Sequence, residues 1–559
     1  MRTEGKSYRC GEANEALIYD TIGNYFDSVV ERYPDAEALV VCHQGVRWTY
    51  RELAHEVDSL ATGLLALGIQ PGDRVGVWGP NSSEWALTQY ATAKIGAIMV
   101  CINPAYRLFE LEYALNKVEC KAIISAESFK TSNYLAMLEE LAPELGNCQP
   151  GKLISSKLPH LKAVIQMGTS ARSGMYEFSK VCAMGQAEHH QTLVDLQSRL
   201  QPDDAINVQF TSGTTGSPKG ATLTHCNILN NGYLSAKGMR FTERDRLCIP
   251  VPLYHCFGMV LGNLACMTHG ACAVYPSDAF DPLTTLQVVE SERCTGLHGV
   301  PTMFVTELEL PSFEEFDLTS LRTGIMAGAP CPVEVMHQVI EKMHLKHILI
   351  GYGQTEVSPL NHLTLPEDPI EKRVETVGRA VPRVEIKIIN SEGGVVALGE
   401  KGEVCTRGYS VMLGYWNDEE RTRETIDPAG WLHSGDIGIM DGEGYVSIVG
   451  RIKDMIIRGG ENIYPRELEE FLYTHPKVQE VQVFGIADDR LGEQVCAWAK
   501  LKTNETLSEA ELQAYCKSQI AHFKVPKHIR FVDEFPMTVT GKIQKFKMAE
   551  EMLDQLAVV

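Results

Sequence analysis

Thr211-Ser212-Gly213-Thr214-Thr215-Gly216-Ser217-Pro218-Lys219-Gly220 follows directly on the apolar run Ile206 to Phe210. Small, hydroxylated and glycine residues leave backbone N–H groups uncovered, and the hydroxyls add further donors, which suits the oxygens of a phosphate chain. Lys219 adds a point charge. The stretch is not a Walker A loop, because that pattern needs Gly-Lys-Ser/Thr and the order here is Pro-Lys-Gly. Ten such residues with a lysine near the end are more than an ordinary turn requires. A strand, a phosphate-binding loop and a helix-like run from about Thr222 are the expectation.

Outward from this loop the pattern is α/β. On the N-terminal side, Leu53 to Leu67 is amphipathic at helical spacing, Arg74 to Trp78 reads as a short buried strand, and Asn81-Ser82-Ser83 caps a helix running to about Lys94. Ile98 to Ile102 is the next strand, Leu108 to Lys117 the next helix, and Lys121 to Ser125 closes the series. Such alternation implies a mostly parallel sheet covered on both faces. Ala126 to about Asp204 is less regular, and a second α/β series runs from Ala205 to about Glu356. From Val377 short strands with glycine turns indicate a β subdomain. The last hundred or so residues read as a small α+β unit: a helix near Arg466 to Thr474, strands near Val478 to Gly485 and Val495 to Lys500, and a helix from about Ser508 to Ile520. The expected division is residues 1–450 and 451–559, with the boundary near Gly450 to Asp454.

Bulk properties narrow the class. A chain of 559 residues exceeds what one core usually serves, so two or more domains are expected. A formal net charge of −21 argues against a general nucleic-acid binder. The sixteen cysteines are scattered without a C-x-x-C pair, which favours buried free thiols in a reducing compartment over zinc. Leu247 to Ser277 is free of Asp, Glu, Lys and Arg but is broken by Pro250, Pro252, Gly258, Gly262 and Gly270, and so reads as a buried strand-turn-helix, not a membrane span. Met1 to Glu15 has no apolar core and no extended basic, Ser-rich leader. A soluble, cytoplasmic protein is expected, with the mitochondrial matrix as the alternative.

Further motifs follow the loop in order: Pro252-Leu253-Tyr254-His255-Cys256-Phe257-Gly258, Ala327-Gly328-Ala329-Pro330, Gly351-Tyr352-Gly353-Gln354-Thr355-Glu356, Trp431-Leu432-His433-Ser434-Gly435-Asp436, Gly450-Arg451-Ile452-Lys453-Asp454 and Pro536-Met537-Thr538-Val539-Thr540-Gly541-Lys542. Together with the loop they resemble the adenylate-forming superfamily, which includes acyl-CoA synthetases, luciferase and peptide-synthetase adenylation domains. Within it, the runs Asp454 to Pro465, His475 to Val483, Pro301 to Val305 and Gly541 to Lys547 are most similar to the medium-chain acyl-CoA synthetases of the family-member-2 type.

The resemblance implies a large N-terminal α/β region with a β subdomain, and a small mobile α+β C-terminal domain swinging about Lys453. It implies ATP, Mg²⁺ and CoA as cofactor and co-substrates. It assigns Thr211 to Lys219, Gly328, Tyr352, Thr355, Asp436, Arg451 and Lys542 to ATP and AMP, Glu356 to the metal, and Gly459 and Gly460 to CoA. The chemistry agrees with those types. Adenylation brings a carboxylate against the α-phosphate, so a cation must bridge two anions, and Mg²⁺ with a mobile lysine, Lys542, can do so. Glu356 offers the oxygen ligand that a hard cation prefers. Tyr352 would stack on adenine, Thr355 would donate to the α-phosphate, and Asp436 can accept from both ribose hydroxyls. His255 would border the carboxylate. Adjacent glycines at 459 and 460 would let a narrow pantetheine arm pass close to backbone. A local basic cluster of Lys524, Lys527, His528 and Arg530 is a possible counter-surface for polyanionic CoA. The expected activity is ligation of a medium-chain acid to CoA through acyl-AMP; a luciferase-like oxygenase and a non-catalytic nucleotide-binding protein are the alternatives.

Overall fold

The structure, a computed structural model, describes residues 5–13, 15–211, 218–329, 331–459, 461–488, 490–517, 519–537 and 543–558. Packing groups them into two units. One comprises Cys10–Glu385 with Thr406–Leu432, and the other Met1–Arg9, Ile386–Cys405 and His433–Val559. Residues 386–405 and 433–450 thus group with the C-terminal part, and the packing units are cut elsewhere than the division expected at the 450–454 motif.

The larger unit holds two sheets. The first orders its strands Tyr176–Glu177, Ala163–Gln166, Ala122–Ser125, Arg74–Trp78, Ile98–Cys101, Ala205–Thr211, Lys219–Thr224 and Gly414–Tyr415. The first six run parallel. Their near-continuous apolar runs suit strands covered on both faces, and the residues of Ile98–Cys101 and Ala122–Ser125 are all buried. The helix Tyr50–Ala66 starts at a capping box: the Thr49 hydroxyl accepts the Glu52 N–H, and the Glu52 carboxylate accepts the Thr49 N–H. Ser83–Ile95 is capped from one side only, the Ser82 hydroxyl accepting the Trp85 N–H at 3.2 Å. That helix is buried almost all round, Lys94 included, whose ammonium is held 2.6 Å from both Asp27 and Asp58.

After Thr211 the chain departs from expectation. The run from Lys219 to Thr224, whose last three residues are expected from the sequence to open the helix, is a strand and pairs antiparallel with Ala205–Thr211 from Thr211↔Lys219 to Ala205↔Thr224. The helix begins only at His225, with Thr224 as its cap. The alternating, β-branched Ala-Thr-Leu-Thr run favours a pleated strand, and a Cβ on Gly220 would come 2.9 Å from Val208 Cγ1, so glycine permits the close pairing. Ser212 to Ser217 lie outside the described residues.

The second sheet orders Arg379–Ala380, Leu360–Leu363, His347–Gly353, Thr323–Met326, Gly296–Leu297, Arg246–Cys248, Cys272–Tyr275, Glu37–Val41 and Val46–Thr49. The six from His347–Gly353 to Glu37–Val41 are parallel, and antiparallel strands flank them. The uncharged stretch after Leu247 is part of this core. Strand Arg246–Cys248 leads to a π-helix, Phe257–Leu264, continued by a short α-helix, Ala265–Thr268, and strand Cys272–Tyr275. Among the described residues no helix is long and apolar enough to cross a membrane.

In the other unit the α+β pattern is close to that expected: helix Pro465–Tyr473, strands Val478–Asp488 and Gly492–Leu501, and helix Glu509–Lys517. Its core collects Ile456, Leu468, Val481, Val495 and Leu512. A further sheet orders Tyr8–Cys10, Val384–Ile389, Lys401–Gly408, Leu432–Met440 and Val446–Arg451.

Candidate active site

Parallel strands expose their loops at their carboxyl ends, where open α/β sheets place their ligands. Three adjacent strands of the second sheet end side by side, two of them in expected site residues. Gly296–Leu297 runs into His298 to Val300, Thr323–Met326 into Ala327 and Gly328, and His347–Gly353 into Gln354, Thr355 and Glu356. The Ala327 N–H donates to the Gly299 carbonyl at 3.3 Å. Gly328 takes a φ of +87°, and a Cβ there would stand 3.2 Å from Val300 Cγ1, so both conformation and space call for glycine. Tyr352 is half-buried, its ring centroid 5.6 Å from that of His362. Thr355 and Glu356 open a single 3₁₀ turn, Thr355–Val357.

Glu356 is fixed by a residue the sequence did not mark. The Tyr415 hydroxyl donates to Glu356 Oε1 at 2.7 Å, and Lys219 Nζ lies 4.8 Å from the centroid of the Tyr415 ring. Burial, and next the nearby Glu356 charge, push the Tyr415 hydroxyl far up, so it stays a proton donor. Backbone bonds align the pair. Met412 N–H donates to the Glu356 carbonyl at 3.0 Å, Leu413 N–H to Thr222 at 3.0 Å and Trp416 N–H to Gly220 at 2.7 Å. One short segment thereby ties the hairpin that follows Thr211 to the end of strand His347–Gly353. Leu413-Gly414-Tyr415-Trp416 carries no charge and no glycine-rich spacing, so nothing local would have singled Tyr415 out.

His255 follows the second motif and is half-buried, its ring 4.8 Å from that of Tyr254. Its carbonyl accepts the Met259 N–H at 3.0 Å, at the start of the π-helix. The Tyr254 hydroxyl is buried without a hydrogen-bond partner among the described residues, and burial raises its pKa.

In the other unit Asp436 and Arg451 face each other across paired strands, with Arg451 Nε 3.2 Å from Asp436 Oδ1 and Asp436 only 5 % exposed. The approach to Asp436 is pinned by Glu403: one carboxylate oxygen accepts the Gly435 N–H at 3.0 Å, and the other lies 2.9 Å from His433 Nδ1. Glu403, Cys405 and His433 have ligand-type atoms within 4.8 Å of one another, and these hydrogen bonds already engage both Glu403 oxygens and His433 Nδ1. Lys453 sits exposed in the short turn Ile452–Asp454, and Gly459 donates its N–H to the Leu491 carbonyl at 2.8 Å. Three cations of the basic cluster have acidic partners: Lys524 with Glu467, Lys527 with Asp488 at 3.7 Å, and Arg530 with Glu551 at 3.2 Å. Arg530 also lies over the Trp498 ring at 4.3 Å. Lys542 and Gly460, like Ser212, Gly213, Thr214, Thr215, Gly216 and Ser217, lie outside the described residues; Thr211, Pro218 and Lys219 lie at the ends of the paired strands.

Comparison with known proteins bears on this arrangement. The chain is 47 % identical over 555 residues to "Medium-chain acyl-CoA ligase ACSF2, mitochondrial" of Danio rerio, covering 99 % of this chain and 91 % of that one. The Homo sapiens protein of the same name is 46 % identical over 553 residues, at 98 % and 90 %. Among solved structures, an anthranilate CoA ligase, AuaEII, in complex with anthranoyl-AMP superposes with a TM-score of 0.82 at 26 % identity, over 96 % of this chain and 98 % of that one. A Mycobacterium tuberculosis fatty acyl CoA synthetase does so with 0.72 at 28 %, over 95 % and 98 %. The family model described as AMP-binding enzyme matches residues 26–416, and that of its C-terminal domain residues 467–542. With most of its length inside these two models, and the strand-end loops and the Thr211 hairpin inside the first, the chain belongs to the AMP-binding enzyme family.

Proposed function

We propose that this ATP-dependent acyl-CoA ligase takes a medium-chain carboxylic acid, in two steps: RCOO⁻ + ATP → RCO-AMP + PPi, then RCO-AMP + CoASH → RCO-SCoA + AMP. The observation that carries the reading is the Glu356–Tyr415–Lys219 grouping, where a fixed carboxylate and an ammonium stand beside the ends of the Thr211 hairpin. Lys219 supplies charge for the phosphate chain. Tyr352 offers a half-buried ring for adenine, Thr355 a hydroxyl for the α-phosphate, and Asp436 with Arg451 a hydrogen-bonding pair for the ribose. Lys542 is the bridging cation of the first step, and Gly459 and Gly460 border the thiol's path in the second.

Glu356 suits Mg²⁺, since it presents a hard oxygen ligand on a carboxylate whose orientation the Tyr415 hydroxyl already fixes. When bound, the ion neutralises phosphate charge; the remaining cationic work falls to Lys219 and Lys542. His255 borders the reacting carboxylate at the mouth of the π-helix.

Two segments are proposed to form the acyl wall, Phe257–Leu264 and residues 297–303. Both lack charged residues, and the first is buried from Gly258 to Leu264. Each methylene buried there is worth about 0.8 kcal/mol, nearly fourfold in affinity, until overpacking sets in. The medium-chain limit follows the printed names of the Danio rerio and Homo sapiens relatives. Pyrophosphate release over acids from acetate to palmitate tests it: a maximum at roughly six to ten carbons is expected, and a maximum at acetate, at palmitate or on benzoate rejects the chain-length assignment alone. Dependence of acid consumption on CoA, not O₂, separates the ligase from an oxygenase. The swing about Lys453 is tested by Lys453→Pro, which fixes φ near roughly −65°: acyl-AMP should still form while thioester output collapses. A cytoplasmic setting is proposed, with the mitochondrial matrix as second reading because the vertebrate relatives are named mitochondrial; fractionation of cells expressing the tagged chain separates the two.

A further inference from the structure

The π-helix Phe257–Leu264 is held from outside by buried polar side chains, although its own residues are mostly apolar. On one side Gln89 donates to the Met259 carbonyl at 3.2 Å and accepts from Asn263 Nδ2 at 2.9 Å. Tyr275 donates to Asn263 Oδ1 at 2.6 Å, and Tyr90 to the Asn263 carbonyl at 3.3 Å. On another side stands His298, fully buried, its ring centroid 5.2 Å from that of Phe257.

The two ring nitrogens of His298 do different work. The Ile325 N–H can only donate, and it points at Nδ1 from 3.1 Å, so Nδ1 is the acceptor. Nε2 therefore carries the proton and donates to the Leu261 carbonyl at 2.9 Å. Burial holds the ring's pKa down at about 4, which keeps this neutral form at working pH. Ile325 belongs to the strand Thr323–Met326 that ends in Ala327 and Gly328, and Leu261 lies in the middle of the π-helix. One imidazole thus fixes the distance between a nucleotide-side strand and an acyl-side helix. π-Helical turns are rare and recur at functional sites, because their wider register costs stability that ordinary packing does not demand.

We propose that His298 is the positioning residue that sets acyl-chain selectivity, by holding the π-helix at Leu261. This rests on the reading that Phe257–Leu264 forms the acyl wall. A rigid wall gives each added methylene a defined effect; a wall freed at Leu261 yields to chains of different length and discriminates less.

Two near-isosteric substitutions separate the bonds. His298→Gln places an amide donor near the position of Nε2 and keeps the bond to Leu261, whereas His298→Asn places an acceptor near Nδ1 and keeps only the bond from Ile325. His298→Leu keeps neither. kcat/KM is measured over the acid series from acetate to palmitate, with KM for ATP and Tm as controls. The wild type and His298→Gln should retain a step of about fourfold per methylene below the optimum. Asn and Leu should flatten that step to below about twofold, with KM for ATP moved much less. A uniform fall for all acids with the step intact in Asn and Leu, or a flattened step in Gln but not Asn, overturns the role of His298. If Leu does not fold, Gln and Asn decide alone. Phe257→Ala tests the wall itself: a series unmoved by it and by every His298 variant rejects the wall reading, while a series moved by Phe257→Ala but not by Asn or Leu rejects only His298.

Discussion

The Glu356–Tyr415–Lys219 grouping and the braces around Phe257–Leu264 belong to one packing unit and follow opposite plans. The first keeps full charges half-exposed at strand ends, with one carboxylate oxygen spent on Tyr415. The second is buried and neutral, and Gln89, Asn263, Tyr275 and His298 direct their hydrogen bonds to one another and to the backbone. Charge left accessible can meet a ligand whose own charge changes during reaction. A neutral network in a low-dielectric interior fixes shape. Damage to the first should therefore appear in reaction rates, and damage to the second in selectivity and stability.

The most severe test of the charged side is Lys542→Ala. Adenylation should fall on the order of 10²- to 10³-fold, while thioester formation from synthetic acyl-AMP and CoA is spared. Equal loss in both half-reactions would remove Lys542 from that side of the comparison. Lys94 offers a buried charge with no ligand to meet, clamped by Asp27 and Asp58. Lys94→Met should lower stability by roughly 2 kcal/mol, less than for a wholly buried pair because both carboxylates are partly exposed, with the ratio of kcat/KM values between acids unchanged. Denaturant unfolding and the acid series read these separately. Tyr415→Phe should cost about tenfold in adenylation, since a hydrogen bond to a charged group contributes about 1.5 kcal/mol at the low end, and should raise the Mg²⁺ concentration for half-maximal rate. An unchanged metal requirement would mean that Tyr415 merely packs.

The smallest effect sharpens the neutral side. His225, His298 and His362 are fully buried, and burial holds them at about 3, 4 and 3. In the unfolded chain a histidine titrates near roughly 6.5. Between those values the unfolded state binds protons that the folded state refuses, so stability falls as pH drops from about 6.5 towards 4, by about 1.4 kcal/mol per pH unit for each histidine. His298→Gln should reduce the slope of unfolding free energy against pH in that window by one such increment. An unaltered slope would mean that His298 is not buried and neutral.

Legibility followed the same division. Arg74–Trp78 and Leu108–Lys117 are the strand and helix that apolar spacing and capping residues predict, and the C-terminal elements differ from prediction mainly at their ends. The helix expected from about Thr222 starts at His225, because the strand Lys219–Thr224 runs on to Thr224 through its pairing with Ala205–Thr211 and with Gly414–Tyr415. Gly328, Tyr352 and Glu356 could be named from ordered motifs, and the structure brings their strand ends together. Tyr415 could not, and His298 is visible only as one member of the uncharged run 297–303, without a role of its own. One is a lone aromatic in an uncharged run, and the other looks like any histidine beside an apolar strand; only tertiary pairing gives them partners.

The strand pair that precedes the helix His225–Gly238 bears on which length changes the chain can survive. Lys219 and Tyr415 meet because Ala221 pairs with Tyr415 while Thr211 pairs with Lys219. Along a strand successive side chains alternate faces, so removing one residue between Lys219 and Ala221 would turn the lysine to the opposite side. No pairing among the described residues imposes such parity between Thr211 and Lys219, and closure entropy grows only slowly with length. Insertions should therefore be tolerated by the fold before Lys219 and rejected just after it, and a library of single-residue insertions across 212–224 would draw that border in one experiment.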